Sequence, residues 1–292
     1  MTKQIHTLKG AIDVDSLGLI LPHEHLFTDL RGPLVDGYAQ AEPSEVARLV
    51  GPFLADAFEA GVTTLVECST LGVGRNLAVL KHLAEASPIH IVAPTGVYRD
   101  AFIPPALRVM NETDLARLWI DELTKGIENT SIRAGFIKLA MSDDGPTDLE
   151  KRNLRAAAQA SKATGAVIAS HTIGGKVAKE EMDVLEAAGH DLQRFIWIHA
   201  QTEPDVTVLK EAAARGAYIE LDSVGAPNQS DAELADTTLA LMEAGYLDHI
   251  LLSHDAGWYN PGRPDGMPDH GFHGYTALIR EFLSALSARG IS

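Results

Sequence analysis

The chain has 292 residues, with 24 Lys plus Arg against 40 Asp plus Glu and a formal net charge of −16. A field of that sign repels a phosphate backbone, which excludes nucleic acid as a partner. One cysteine, Cys68, excludes an intrachain disulfide framework. No apolar run approaches the roughly 20 residues of a membrane span, and Met1–Thr7 lacks the apolar core of a signal peptide, so a soluble, cytoplasmic protein is expected.

Taken in order, the chain opens with a segment in which Ile12-Asp13-Val14-Asp15 predicts a small hairpin. Apolar runs then predict strands over 17–23, 62–68, 89–97 and 134–140, and over 166–171, 195–200, 217–222 and 249–255. Helical patterns lie between them, among them Ser44 to Ala60, Leu115 to Ile127, Leu149 to Ala163, Asp205 to Arg215 and Asp231 to Ala244. Gly61, Gly165, Gly216 and Gly245 stand where helix C-termini favour glycine. The strands are continuous apolar runs rather than alternations, as suits a parallel sheet covered by helices. Eight βα units in series, with no repeat or linker between them, predict one domain over 1–292, an α/β (β/α)8 TIM barrel with its active site at the C-terminal strand ends. A doubly wound open sheet is the alternative, but it would not gather the ends of strands one, four, five, six and eight around a point.

Those five strand ends carry the chemistry. His23 and His25 lie at i and i+2 on the first strand and share a face. Lys138 ends the fourth strand, His171 the fifth, His199 the sixth and Asp255 the eighth. Imidazole and carboxylate are ligands for zinc and related divalent ions. A single strand histidine can equally be a hydrogen-bonded structural residue, and Asp255 can cap a turn. Lys138, between Phe136-Ile137 and Leu139-Ala140, is harder to explain structurally, because an unpaired buried ammonium is costly.

With Leu21-Pro22-His23-Glu24-His25, Gly135-Phe136-Ile137-Lys138, Ser170-His171-Thr172-Ile173-Gly174-Gly175, Ile198-His199-Ala200 and Ser253-His254-Asp255 in that order, the chain resembles the phosphotriesterase family of the amidohydrolase superfamily along nearly its whole length. The resemblance implies two divalent ions, zinc foremost, with manganese, cobalt or iron as substitutes. His23, His25 and Asp255 would hold one, His171 and His199 the other, and a carboxylated Lys138 would bridge them. It also implies that a bridging hydroxide is the nucleophile and that Asp255 moves its proton toward the leaving group. A homodimer is allowed, and the C-terminus beyond the Thr276 to Ala288 helical pattern is expected to be shortened.

Around the predicted mouth, Tyr98 and Arg99 follow strand three and Trp258 and Tyr259 follow strand eight. Tyr98, Arg99 and Trp258 are the candidate substrate contacts, with surface packing as the alternative. Residues 256–274 form a Gly/Pro-rich loop that reads as a lid. His270 and His273 within it read as solvated residues rather than ligands. Glu24 and His254 point away from the ligand face of their strands, and Cys68 reads as a buried structural thiol.

Family members act on organophosphate triesters, acyl-homoserine lactones or other small lactones. Ser223 stands after Glu220-Leu221-Asp222 where the acyl-homoserine lactonase branch usually has arginine and the triesterases histidine. His199-Ala200-Gln201-Thr202 lacks the acidic run of the triesterases. The expected function is therefore a binuclear metal-dependent lactonase or carboxylic-ester hydrolase acting on a small molecule. Phosphotriester hydrolysis is the first alternative and a non-catalytic ligand-binding barrel the second.

Overall fold

Parallel pairing runs through the chain as the alternation predicts. The computed structural model describes residues 3–227, 229–268 and 274–291. A hairpin of β1 (Gln4–Thr7) and β2 (Gly10–Asp13) comes first. It covers 4–13 rather than centring on Ile12 to Asp15, because the chain turns at Leu8-Lys9 and Val14–Ser16 form a helical turn.

The barrel then winds through β3 (Leu19–Glu24), α1 (Pro43–Glu59), β4 (Val62–Glu67), α2 (Leu77–Ala86), β5 (His90–Val92) and β6 (Pro94–Val97). It continues through α3 (Pro105–Arg108), α4 (Glu112–Thr124), β7 (Phe136–Ala140), α5 (Asp148–Thr164), β8 (Ile168–His171) and α6 (Gly175–Ala187). The last units are β9 (Phe195–Ile198), α7 (Val206–Ala214), β10 (Tyr218–Leu221), α8 (Asp231–Glu243), β11 (Ile250–Leu252) and α9 (Leu283–Ser287).

The third predicted strand is divided at Ala93. Pro94 has no N–H to give a ladder, so β5 pairs with β4 while β6 pairs with β7. One arc is thus β3-β4-β5 and the other runs from β6 through β7, β8, β9 and β10 to β11. At that join Gly96 has φ +108°, and a Cβ there would collide with the Lys138 carbonyl, so only glycine lets β6 lie this close to β7. Helix ends follow the sequence: α5 begins with a Thr147/Glu150 capping box and ends on Gly165 in the left-handed conformation, its N–H bonded to Ser161 O.

The other seam, between β11 and β3, is closed by two backbone bonds, Asp255 N–H to His23 O at 3.3 Å and His25 N–H to Ala256 O at 3.2 Å, and by side chains. Ser253 Oγ accepts the His23 N–H at 3.1 Å and lies 2.9 Å from His23 O. The buried Glu24 carboxylate accepts from His254 Nδ1 at 2.6 Å, His254 N at 3.1 Å and Ala256 N at 3.0 Å. His254 Nε2 in turn accepts the Leu278 N–H at 3.0 Å, which anchors the helical segment Leu278–Phe282. The fold is the expected (β/α)8 barrel. Inside it, Val92, Phe136, Ala169 and Ile198 form an apolar layer, and the larger core lies between strands and helices.

Behind β8, Glu181 of α6 is fully buried. Its Oε2 accepts from Thr172 Oγ1 at 2.6 Å, and its Oε1 has no hydrogen-bond partner among the described residues. Burial pushes its carboxyl up to about 7 from 4.5. The unfolded chain then releases this proton at a lower pH than the folded one, so its contribution is complete below 4.5 and is lost as pH rises through about 7. The shift is worth about 3 kcal/mol. Glu181→Gln should flatten that part of the profile, so the stability difference between variant and wild type widens in the variant's favour from pH 5 to 8. Denaturant unfolding at both pH values checks this, and parallel profiles would rule it out.

Candidate metal centre

The C-terminal ends of the strands surround a cavity of about 120 Å³ whose walls include His23, His25, Lys138, His171, His199 and Asp255. All six predicted donors therefore meet at one mouth. Donor atoms of His23, His25 and Asp255 lie within 4.8 Å of one another. Asp255 Oδ1 is 3.3 Å from His23 Nε2 and 3.1 Å from His25 Nε2. Across the cavity the His171 and His199 rings are 4.5 Å apart between centroids. His199 and Asp255 hold φ values of +64° and +50°. Such conformations cost non-glycine residues roughly 1–3 kcal/mol and turn each side chain inward from just beyond its strand.

Lys138 is 2% exposed. Among the described residues its ammonium has no hydrogen-bond or ion-pair partner, although it lines the same cavity.

Asp222, which the sequence reading did not assign to the site, organises two of the histidines. Its Oδ1 is 2.8 Å from His199 Nδ1 and its Oδ2 is 3.2 Å from His23 Nδ1, and it also accepts the His199 N–H at 2.9 Å and Gln201 Nε2 at 2.7 Å. Both imidazoles thereby offer Nε2 to the cavity. The available signal was position: residue 222 ends the predicted seventh strand, two beyond Glu220 on the same face. His25 Nδ1 is held by Ser69 Oγ at 2.7 Å.

The electrostatics suit a cation. Burial favours the acid forms of Asp255 and Asp222, yet the His23, His25 and His199 imidazoles around them hold both well below the carboxylate range. Burial works against charge on His23 and His25 as well, but neighbouring anionic groups, Asp255 among them, raise both. His171 goes the other way: burial, then His199 and Lys138, hold it well below the ordinary histidine value, so it is a neutral imidazole. Ionised carboxylates, inward imidazoles and a lysine without a partner form a donor set that fits divalent metal.

Tyr98 lines the cavity, its hydroxyl 3.2 Å from His171 Nδ1, and burial pushes its phenol far above the usual value. Trp258 lines it too, edge-on to His25 at 5.8 Å. The structure does not bring Arg99 to the wall; its guanidinium pairs with Asp143 at 2.9 Å on the rim. Tyr259 stacks on Phe27 at 6.1 Å, away from the cavity, while Thr28, Leu30 and Val73 complete the lining. In the 256–274 loop, Thr28 N bonds to Tyr259 O and Tyr259 N to Leu26 O, which ties its first part to the strand-one loop. His270 and His273 lie outside the described residues.

A parallel barrel with this donor set at its mouth defines a metal-dependent hydrolase. A phosphotriesterase family model matches residues 3–292. A "phosphotriesterase homology protein" of Mycobacterium tuberculosis is 30% identical over 99% of this chain and 92% of its own length. An aryldialkylphosphatase of Saccharolobus solfataricus is 28% identical over 85% and 79%. A solved mutant of a PTE-like lactonase from Deinococcus radiodurans superposes with a TM-score of 0.89 at 29% identity, covering 99% of this chain and 94% of that one. The chain belongs to the phosphotriesterase family.

Asp222→Asn should weaken binding of a divalent cation by about 10–100-fold, the usual cost of removing a carboxylate that orients ligating histidines. Chelator competition on the refolded variant measures this. Unchanged affinity would mean that Asp222 orients nothing that binds metal.

Proposed function

We propose that this chain is a binuclear divalent-metal hydrolase that opens small lactones or cleaves small carboxylic esters at the acyl carbon. The observation that carries this reading is the meeting of six predicted donors and the Tyr98 hydroxyl around one small cavity. Ser223, whose buried Oγ has no partner among the described residues, offers no cationic or imidazole group to a phosphoryl oxygen. Thr202 supplies no carboxylate beyond the sixth strand.

In this reading His23, His25 and Asp255 would hold one ion and His171 and His199 a second, with Lys138, once carboxylated, as a further ligand. When bound, the two cations supply Lewis acidity toward the acyl oxygen and acidify water at neutral pH. The chain does the rest. Tyr98, kept protonated by burial, donates its O–H to the substrate oxygen. Asp255, kept ionised, accepts the proton released as water adds and passes it to the departing alkoxide. Asp222 holds His23 and His199 in the orientation the site requires. Trp258, Leu30 and Val73 give the substrate an apolar wall that excludes water, and Arg99 acts from the rim through its pair with Asp143.

Phosphotriester hydrolysis is the second reading, favoured by the likeness to the aryldialkylphosphatase of Saccharolobus solfataricus. We further infer that the whole chain acts as one catalytic domain in the cytoplasm. No helix among the described residues is long and apolar enough to cross a membrane.

The test is kcat/KM for an acyl-homoserine lactone, a plain γ- or δ-lactone, a sugar lactone and an aryl phosphotriester with zinc-loaded protein. The lactones should lead, and a faster triester would give the reaction to the second reading. Asp255→Asn should lower kcat by about 10²–10⁴-fold, and Tyr98→Phe by about 10²-fold. Lys138→Ala should abolish turnover together with half of the bound metal. Full turnover after exhaustive chelation would end the metal reading.

A further inference from the structure

We propose that Thr28 donates a hydrogen bond to the leaving-group oxygen of the substrate, an inference that rests on the ester-hydrolase reading above. Thr28 lies three residues beyond His25, in the loop that follows β3, and it lines the cavity. It is 4% exposed, and its N–H bonds to Tyr259 O at 3.1 Å, which fixes its backbone against the loop that follows β11. Its hydroxyl is 2.8 Å from Ser69 Oγ, and Ser69 Oγ is 2.7 Å from His25 Nδ1. Thr28 thus ends a chain of hydrogen bonds that starts on the His25 imidazole.

Counting protons gives that chain a direction. His25 Nε2 lies 3.1 Å from Asp255 Oδ1 and 3.3 Å from His23 Nε2, on the ligand side of the ring. A ligating nitrogen carries no proton, so Nδ1 holds the one proton of the ring and donates it to Ser69 Oγ. Glu67 is 3.7 Å from Nδ1, too far to compete. Its fully buried carboxylate instead holds the Ser69 N–H at 2.7 Å and the Leu26 N–H at 2.6 Å, which keeps Ser69 in place. The Ser69 hydroxyl, already accepting, has Thr28 Oγ1 as the one acceptor for its own proton among the described residues. The Thr28 O–H is then left without an acceptor among those residues. A buried donor needs one, and the cavity that Thr28 lines has room for it.

Topology selects the oxygen. The first and fifth strands of an eight-stranded barrel, here β3 and β8, stand opposite each other. Tyr98, against His171 at the end of β8, donates to the acyl oxygen in the reading above. An acyl group bound there directs its alkoxy oxygen to the β3 side, where Thr28 and Asp255 stand. A donor aimed at that oxygen gains strength as the C–O bond breaks and negative charge collects on it. Thr28 keeps its own proton throughout, and the proton that neutralises the alkoxide is the one Asp255 carries.

The experiment compares an alkyl and an aryl ester of the same short acid as substrates of zinc-loaded wild type, Thr28→Val and Thr28→Ser. An alkoxide is a poor leaving group and depends on the donor, whereas a phenolate leaves without it. Thr28→Val is expected to lower kcat on the alkyl ester by about 10–100-fold, the worth of a hydrogen bond to a charged oxygen, and on the aryl ester by less than about 2-fold. Thr28→Ser, which keeps the hydroxyl, should restore most of the loss. Zinc affinity by chelator competition should be unchanged in Thr28→Val and about 10-fold weaker in Ser69→Ala, which takes the acceptor from His25 Nδ1. Equal losses on both esters, or none, would overturn the role of Thr28 and leave the hydrolase reading standing. Unchanged zinc affinity in Ser69→Ala would overturn the direction of the chain, and with it the free Thr28 proton. Turnover of neither ester by wild type would overturn both readings. Where Thr28→Val fails to fold, Thr28→Ala, which adds no bulk, gives the same comparison.

Discussion

The buried carboxylate of Glu24 is the constraint on which the rest of this molecule depends. An eight-stranded barrel must join its first and last strands, and here that seam lacks a continuous backbone ladder. Glu24 substitutes for one by accepting from both nitrogens it can reach on His254 and from the Ala256 N–H. A charged acceptor facing several donors forms stronger hydrogen bonds than a neutral one, and full burial keeps water from competing for them. Closing this seam brings Asp255 within 3.1–3.3 Å of His25 and His23, 230 or more residues earlier in the chain. The same His254 reaches Leu278 through its other ring nitrogen, so the seam and the C-terminal helical segment are held by one imidazole.

A second layer of the same design surrounds the cavity. Asp222 does for His23 and His199 what Glu24 does for the seam: it is an ionised group, fully buried, with every contact on a donor whose orientation matters. Two side chains at the mouth, His199 and Asp255, stand on left-handed backbone. The barrel carries this strain because the surrounding hydrogen bonds over-determine both positions. Burial without charge compensation would empty such a site of ions. Here the Asp255 and Asp222 carboxylates, held well below their ordinary range by the surrounding imidazoles, stay ionised among the inward-facing histidines.

The family relationship and the pocket answer different questions. Membership in the phosphotriesterase family rests on the whole chain, from residue 3 to 292, and brings with it metal-dependent hydrolysis. Tyr98 and Trp258 line the cavity from loops beyond β6 and β11 without contributing to the barrel. A fold of this kind tolerates exchange of these loops because the strands and helices beneath them carry the stability.

The barrel and its six strand-end donors were legible in the sequence because strand alternation has a fixed period and the apolar runs are long. His23 and His25 must share a face, and a lysine amid Phe136, Ile137 and Leu139 must either find a partner or change its chemistry. The hairpin register, the break of the third strand at Pro94 and the placing of Asp222 between two histidines were decided only by the tertiary structure. Asp222 depends on a contact between strands distant in sequence, with His23 across 199 positions. Arg99 shows the same limit from the other side. Its place after strand three pointed toward the cavity, but its guanidinium pairs with Asp143 on the rim, 5.8 Å from the centre of the Tyr98 ring.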